Sequence, residues 1–284
     1  MKAVTYTRYG GPDVLHLADV PAPAPGDRAV LIRVRAAEAT KSDCELRSFR
    51  LSVKWTWLPL RIAVGVLRPR RHILGMYFAG EVVSPKPRNM TYAEAAAVPL
   101  GGLNALHFMR RAAIKPGEQV LINGAGGSIG AHAVQLAHKM GAQVTAVDHR
   151  TKEDLVRRLG ADDFVDYTTA DVTTTAQRFD VIFDMVAGSP YRRLIGMLQP
   201  GGRYLHGNPR LSVLLRSVLT KNVTVAFAPE TSEALATLTE MTEAGEIQPI
   251  VDRVYPMAEA ADAHRRVETE QRLGAVVITL DHQG

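Results

Sequence analysis

Between Val120 and Asp148 the pattern of apolar and polar positions changes period twice. Val120, Leu121 and Ile122 form a short apolar run bounded by turn residues, which predicts a strand buried on both faces. From Ser128 to Met140 the apolar positions Ile129, Val134, Leu136, Ala137 and Met140 recur at helical spacing, and Gly141 marks the C-terminal stop. Val144 to Val147 reads as a second strand, closed by Asp148. Strand and helix are joined by Gly124, Ala125, Gly126, Gly127, Ser128, Ile129 and Gly130, with A-x-G-x-x-G spacing from Ala125 to Gly130. In such a turn Gly127 lets the main chain approach a pyrophosphate, and Gly130 lets helix and strand pack closely. The helix N-terminus directs N–H groups at an anion, and an acid about 20 residues on takes ribose hydroxyls. A structural βαβ turn that binds nothing is the bland alternative. The coincidence of strand, helix and acid favours a dinucleotide-binding half-domain.

The flanking patterns divide the chain. Strand-like runs occur at Lys2–Tyr6, Leu15–Asp19 and Ala29–Arg35, separated by Gly10-Gly11-Pro12 and by the proline-rich stretch from Pro21 to Gly26. Glu38–Phe49 is polar with helix-compatible spacing. Trp55 to Leu67 is apolar and flanked by Arg61, Arg68, Arg70 and Arg71. It suits a lid or wall over an apolar pocket, and less simply an interfacial amphipathic segment. Ile73–Val83 reads as a strand bent at Gly75 and Gly80. Glu94–Ile114 reads as helical, with Pro99, Gly101 and Gly102 predicting an interruption. Then come strands at Phe164–Asp166, Asp180–Asp184, Arg203–His206 and Asn222–Phe227, and helices at Tyr191–Leu198 and Ser232–Ala244. This alternation predicts an α/β fold with a doubly wound parallel sheet. The tail returns to β character at Ile250–Tyr255 and Gly274–Leu280, around a helix at Ala258–Val267.

Composition narrows the class. At 284 residues, 46% hydrophobic and 22% charged, the chain has the make-up of a globular protein with room for two domains. The net charge of +5 is spread among acids, so a solvated surface is expected and no nucleic-acid partner. The single cysteine, Cys44, excludes an internal disulfide and a multi-cysteine zinc site. Neither a secretory signal nor an apolar run of spanning length is evident, so a cytoplasmic protein without stable membrane insertion is expected. There is no H-E-x-x-H, C-x-x-C or G-x-S-x-G motif, and no tyrosine has a lysine four residues on. His132 and His138, six apart, are expected at the surface.

Motifs along nearly the whole chain resemble the medium-chain dehydrogenase/reductase superfamily, zinc-free quinone oxidoreductase-like branch. They include MKAVTYTRYGGPDVL, ILGMYFAGEVV, EAAAVPLGGLNALHFM, KPGEQVLINGAGGSIGAHAVQLAHKMGAQVTAV, LVRRLGADDFVDY, FDVIFDMVAG, QPGGRY and GAVVITL. The resemblance implies a GroES-like catalytic barrel from residues 1–99 and 251–284 around a Rossmann domain at 100–250. It also implies a nicotinamide dinucleotide in the cleft that exchanges hydride with a small-molecule quinone, carbonyl or enone. Carried over, Gly126, Gly127, Ser128, Ile129 and Gly130 face the pyrophosphate, and Asp148 takes the adenosine ribose. A carboxylate there slightly favours NAD(H) over NADP(H), although Arg150 and Lys152 follow closely as alternative phosphate ligands. Val186, Ala187 and Gly188, with His206 and Gly207, match strand ends near the nicotinamide, and Asn104 a position near its ribose. Asp43 matches a substrate-side loop usually written N-P-x-D, in which Thr40 and Lys41 replace the first two residues. Thr40 and Ser42 are candidate proton donors. Zinc-binding relatives place a cysteine and a G-H-E triplet where this chain has Thr40 and Gly75-Met76-Tyr77, so no metal is expected. Relatives pair the edge strand matching Asn222–Phe227 across a two-fold axis, which implies a homodimer.

One departure is large. After Val83 the family continues for roughly 40 residues before a P-K-P-like segment, whereas here Ser84 follows at once. The catalytic barrel is therefore expected to be truncated. The leading reading is a zinc-independent NAD(P)(H)-dependent oxidoreductase; the rival is a dinucleotide-binding sensor whose truncated barrel no longer turns over.

Overall fold

The computed structural model describes residues 1–23, 32–52, 56–81, 89–208, 213, 223–225, 228–229 and 231–280. Two compact units result, one of residues 1–99 with 249–284, the other of residues 100–248.

The second unit is built on six parallel strands. They are β5 (Gln119–Asn123), β6 (Gln143–Asp148), β7 (Asp163–Asp166), β8 (Phe179–Asp184), β9 (Leu198–His206) and β10 (Val223–Val225). Their spatial order, β10-β9-β8-β5-β6-β7, runs outward in both directions from β5 and reverses beside it, as in a doubly wound nucleotide-binding sheet. Val120, Leu121 and Ile122 of β5 and Val181, Ile182 and Phe183 of β8 are fully buried, as a sheet covered on both faces demands. Each such side chain contributes about 2 kcal/mol. Helix α4 (Ser128–Lys139) crosses between β5 and β6, and α5 (Glu153–Arg158), α6 (Tyr191–Ile195) and α7 (Ser232–Glu243) follow. With its residues 100–112 the long helix α3 (Tyr92–Ala112) enters this unit.

The first unit carries a hairpin of β1 (Lys2–Thr5) and β2 (His16–Asp19). Its mixed sheet uses β3 (Arg33–Ala39), β4 (Phe78–Glu81), β11 (Val251–Pro256) and β12 (Ala275–Thr279) in the order β11-β12-β3-β4. Helices α1 (Lys41–Ser48), α2 (Trp57–Val64) and α8 (Ala260–Glu268) accompany it. The tail thus joins the N-terminal strands, through antiparallel pairing of β12 with β3.

Several expectations need correction. The helix from Tyr92 is continuous through Pro99, Gly101 and Gly102. A proline inside a helix costs about 3 kcal/mol, but Ala96, Ala97, Leu103, Ala105 and Leu106 around it are all buried, and that packing outweighs the cost. Thr91 and Glu94 also close its start as a capping box. The helix expected at Tyr191–Leu198 ends at Ile195, and β9 already begins at Leu198, absorbing Pro200-Gly201-Gly202 as an irregularity in pairing with β8. Glu38 and Ala39 complete β3, and the following helix starts only at Lys41. His132 is fully buried rather than at the surface, its Nδ1 2.7 Å from the Ser128 carbonyl oxygen. Burial lowers its pKa. His138 is exposed, as expected. The expected run at 29–35 and the Val83–Ser84 junction lie partly or wholly outside the described residues.

Candidate functional site

The glycine turn after β5 is fixed by its main chain. Gly124 adopts φ +87°, and its N–H and that of Ala125 donate to the Val147 carbonyl at 2.9 and 3.2 Å. Gly130 has no room for a side chain, since a Cβ there would lie 2.1 Å from the Gly124 oxygen. Helix α4 can therefore pack against the turn only with glycine at this position. Gly127 differs, because a Cβ there would meet only the Gly124 oxygen, at 3.7 Å. It is the N-cap of α4 and supplies no side-chain cap bond. The next residue, Ser128, is buried, and its hydroxyl has no hydrogen-bond partner among the described residues. Ile129 is half-buried. An uncapped helix start with open space at the cap and an unused donor beside it suits an anionic oxygen. These residues fit the pyrophosphate of a dinucleotide.

Asp148 and Lys152 are brought onto the same turn. The Asp148 carboxylate is buried and accepts from the N–H groups of Gly126 and His149, both at 2.7 Å. It also pairs with the Lys152 Nζ at 3.0 Å. The lysine is buried too, and its methylenes cross Gly126 so closely that a Cβ there would lie 2.4 Å from Lys152 Cδ. The acid expected to take a ribose is thus already engaged within the chain, and Lys152 is its partner. Arg150 is exposed.

A second polar centre lies at the ends of β5, β8 and β9. The fully buried Asp184 carboxylate accepts from Asn123 Nδ2 at 2.9 Å, the Val186 N–H at 3.0 Å, the Tyr204 hydroxyl at 2.6 Å and the Ser189 hydroxyl. Its main-chain carbonyl accepts from the Gly207 N–H at 3.1 Å and faces His206 Nδ1 at 2.8 Å. Burial, then the Asp184 charge, pushes the Tyr204 phenol pKa up. Val186 is exposed, Ala187 half-buried, and His206 buried. The sequence-predicted Val186, His206 and Gly207 are therefore gathered by Asp184, which was read only as a strand residue. Its signal was a charge closing the apolar run DVIFD. Asn104 turns back to donate to the Leu100 carbonyl at 2.9 Å.

In the first unit Thr40 and Asp43 bond to each other. The Thr40 hydroxyl accepts from the Asp43 N–H at 3.1 Å and donates to Asp43 Oδ2 at 2.7 Å, closing a capping box at the start of α1. Asp43 also accepts from the Gly75 N–H at 3.1 Å, and burial raises its pKa. Ser42 is exposed. On its other side α1 is clamped by the fully buried Arg47, whose Nε donates to His264 Nδ1 at 3.2 Å and which pairs with Glu268. Burial and that guanidinium pull His264 down to about 3. Burial pushes the Cys44 thiol, 3.4 Å from His264 Nδ1, up to about 12, so it is not a nucleophile at neutral pH. Among the described residues no group of three or more His, Cys, Asp or Glu is placed to hold a metal.

A glycine turn feeding α4 at the centre of a six-stranded parallel sheet defines a Rossmann-type α/β fold. A zinc-binding dehydrogenase family matches residues 159–278. The mitochondrial NAD(P)H oxidoreductase RTN4IP1 of Danio rerio is 30% identical over 242 residues, covering 71% of this chain and 60% of the relative. The 2-methylene-furan-3-one reductase of Solanum lycopersicum is 28% identical over 315 residues, covering 98% and 79%. That alignment is longer than the 284-residue chain, so the tomato protein has residues that this chain lacks. The quinone oxidoreductase from Coxiella burnetii superimposes with a TM-score of 0.86 over 99% of each chain at 22% identity. These likenesses support a place in the medium-chain dehydrogenase/reductase superfamily, with reductases and a quinone oxidoreductase structure among the proteins it resembles. The chain spans about 60% of the zebrafish relative's length.

Proposed function

We propose that the protein is a zinc-independent NAD(P)(H)-dependent oxidoreductase that reduces a quinone, carbonyl or enone-type small molecule. The observation that carries this reading is the start of α4, with open space at Gly127 beside the buried, unpartnered Ser128 hydroxyl. When bound, a reduced nicotinamide supplies a hydride, and solvent or a side chain supplies the accompanying proton. The chain's own part is to hold the pyrophosphate with Gly127, Ser128, Ile129 and Gly130 at the helix N-terminus, while Gly126, expected in the same set, has its N–H committed to Asp148. Asp184 fixes the Val186–Gly188 loop and the His206–Gly207 strand end, and Asn104 belongs to the same nicotinamide-side set. Ser42 is the exposed hydroxyl of the 40–43 segment, and Thr40 with Asp43 frames it. Thr40 at the position of a zinc-ligating cysteine is already committed to Asp43, which supports chemistry without a metal.

Cofactor choice turns on Asp148 and Lys152. The pair neutralises the carboxylate that would repel a 2′-phosphate, and Lys152 with Arg150 supplies the opposite charge. The reading keeps a slight preference for NAD(H), carried by Asp148, with NADP(H) accommodated through Lys152 and Arg150. The reading takes residues 1–99 and 251–284 as a shortened catalytic domain and 100–250 as the cofactor domain. It also takes a homodimer paired along the edge strand β10, in the cytoplasm, with no nucleic-acid partner. A monomer mass at micromolar concentration would refute the dimer.

The test is oxidation of NADH and NADPH against a panel of quinones, aldehydes and enones, alongside direct cofactor binding. Turnover with at least one acceptor is expected. Tight binding without turnover would favour the sensor, which the shorter chain supports, and no binding of either cofactor would sink both readings.

A further inference from the structure

Helix α2 is turned inside out. Its one cation, Arg61, points inward, with the guanidinium carbon 4.0 Å from the ring centre of Tyr9 and 4.3 Å from that of Phe49. The Tyr9 hydroxyl donates to the Gly65 carbonyl at 2.7 Å, which secures the C-terminal end of the helix on the same side. Trp57 sits with Arg61 on the inner side, its ring edge-on to Phe49, and the outward face is wholly apolar, with Leu58 (62% exposed), Pro59, Ile62 (56%) and Ala63 in solvent. No residue of α2 is buried. The loop that follows extends the patch with Val66 and with Leu67, which is 87% exposed. It is closed by the Arg70 N–H donating to the Val64 carbonyl at 2.8 Å. Arg68, Arg70 and Arg71 then stand exposed beside the patch, and residues 56–80 contain no acid at all.

A contiguous apolar face of this kind marks an interaction surface. We propose that α2 and the Gly65–Arg71 loop form a docking surface for anionic lipid headgroups, holding the protein reversibly at a membrane surface. Leu58, Ile62, Val66 and Leu67 enter the headgroup–acyl boundary, while the three arginines meet lipid phosphates and carboxylates. Charge complementarity selects this occupant. A second copy of the chain would bring two arginine clusters together, and a nucleic acid would leave the aliphatic side chains without a partner. The contact is peripheral, since among the described residues no helix is long and apolar enough to cross a membrane.

The experiment is sedimentation of the full chain with phosphatidylcholine vesicles, with and without phosphatidylserine. Pelleting only with phosphatidylserine is expected, largely lost at about 1 M salt, where screening acts within about 3 Å. The combined variant Arg68→Ala, Arg70→Ala, Arg71→Ala should bind on the order of a hundredfold more weakly. A second set, Leu58→Ser, Ile62→Ser, Leu67→Ser, changes only outward positions, so its melting temperature should hold while vesicle binding is lost. Equal pelleting of wild type and both variants would overturn the proposal. So would a dimer mass abolished by the serine set, or binding to a DNA fragment in place of vesicles.

Discussion

The two units each contain a helix whose first turn the sequence marked as functional, and they treat it in opposite ways. The start of α1 is closed: Thr40 and Asp43 use their polar atoms on each other and on Gly75, so little is left for a ligand. The start of α4 is open, because Gly127 supplies no cap and the Ser128 hydroxyl is unused. A helix N-terminus has orphan N–H groups that something must satisfy. Where the chain does so itself the helix needs no ligand to complete it, and where it does not, there is room for an anion, the role proposed above for a pyrophosphate.

That contrast can be broken from several sides. The largest effect is expected from Gly130→Ala, whose Cβ would lie 2.1 Å from the Gly124 oxygen. It should destabilise the second unit by roughly 4 kcal/mol or more in denaturant unfolding, through strain at the turn. Acid should come next. His264 is held down to about 3 from 6.5, so the unfolded chain takes up the proton first. Its contribution is complete above pH 6.5 and falls as pH drops towards 3, by about 1.4 kcal/mol per unit. The loss should reach about 3 kcal/mol near pH 4 by thermal unfolding, with His264→Gln flattening the profile. Gly127→Val probes the open end directly. A Cβ there meets only the Gly124 oxygen at 3.7 Å, so melting should change little, while cofactor affinity by titration should fall on the order of a hundredfold. Thr40→Ala probes the closed end, costing about 1 kcal/mol of stability with cofactor affinity unchanged. The smallest effect is a shift in preference: Lys152→Ala should weaken NADPH binding about threefold more than NADH binding.

The open end was legible because its demands are local. Gly124 at positive φ, Gly130 against the turn and Asp148 closing β6 are all consequences of short-range geometry that spacing records. The strands of the parallel sheet were legible for a similar reason, since burial on both faces leaves continuous apolar runs such as VLI and DVIFD. What was not legible depends on contacts distant in sequence. Asp184 joins Asn123, 61 residues earlier, with Tyr204, 20 residues later, and neither spacing forms a motif. His132 looked solvated because its neighbours gave no hint that Gly101 would lie against its ring. Pro99 was read by its local cost, whereas the burial around it decided the outcome. Arg61 was counted with a basic cluster, and only the aromatic rings of Tyr9 and Phe49 turn it inward.

The unpartnered hydroxyl of Ser128 has a consequence for anyone engineering this protein. A buried hydroxyl without a partner burdens the folded chain by about 1–3 kcal/mol. A selection for heat resistance carried out on the free protein would therefore favour Ser128→Ala early. On the proposed reading, each degree gained that way would be taken from the group that meets the pyrophosphate. Thermostability should be selected with cofactor present, where the same serine becomes an asset.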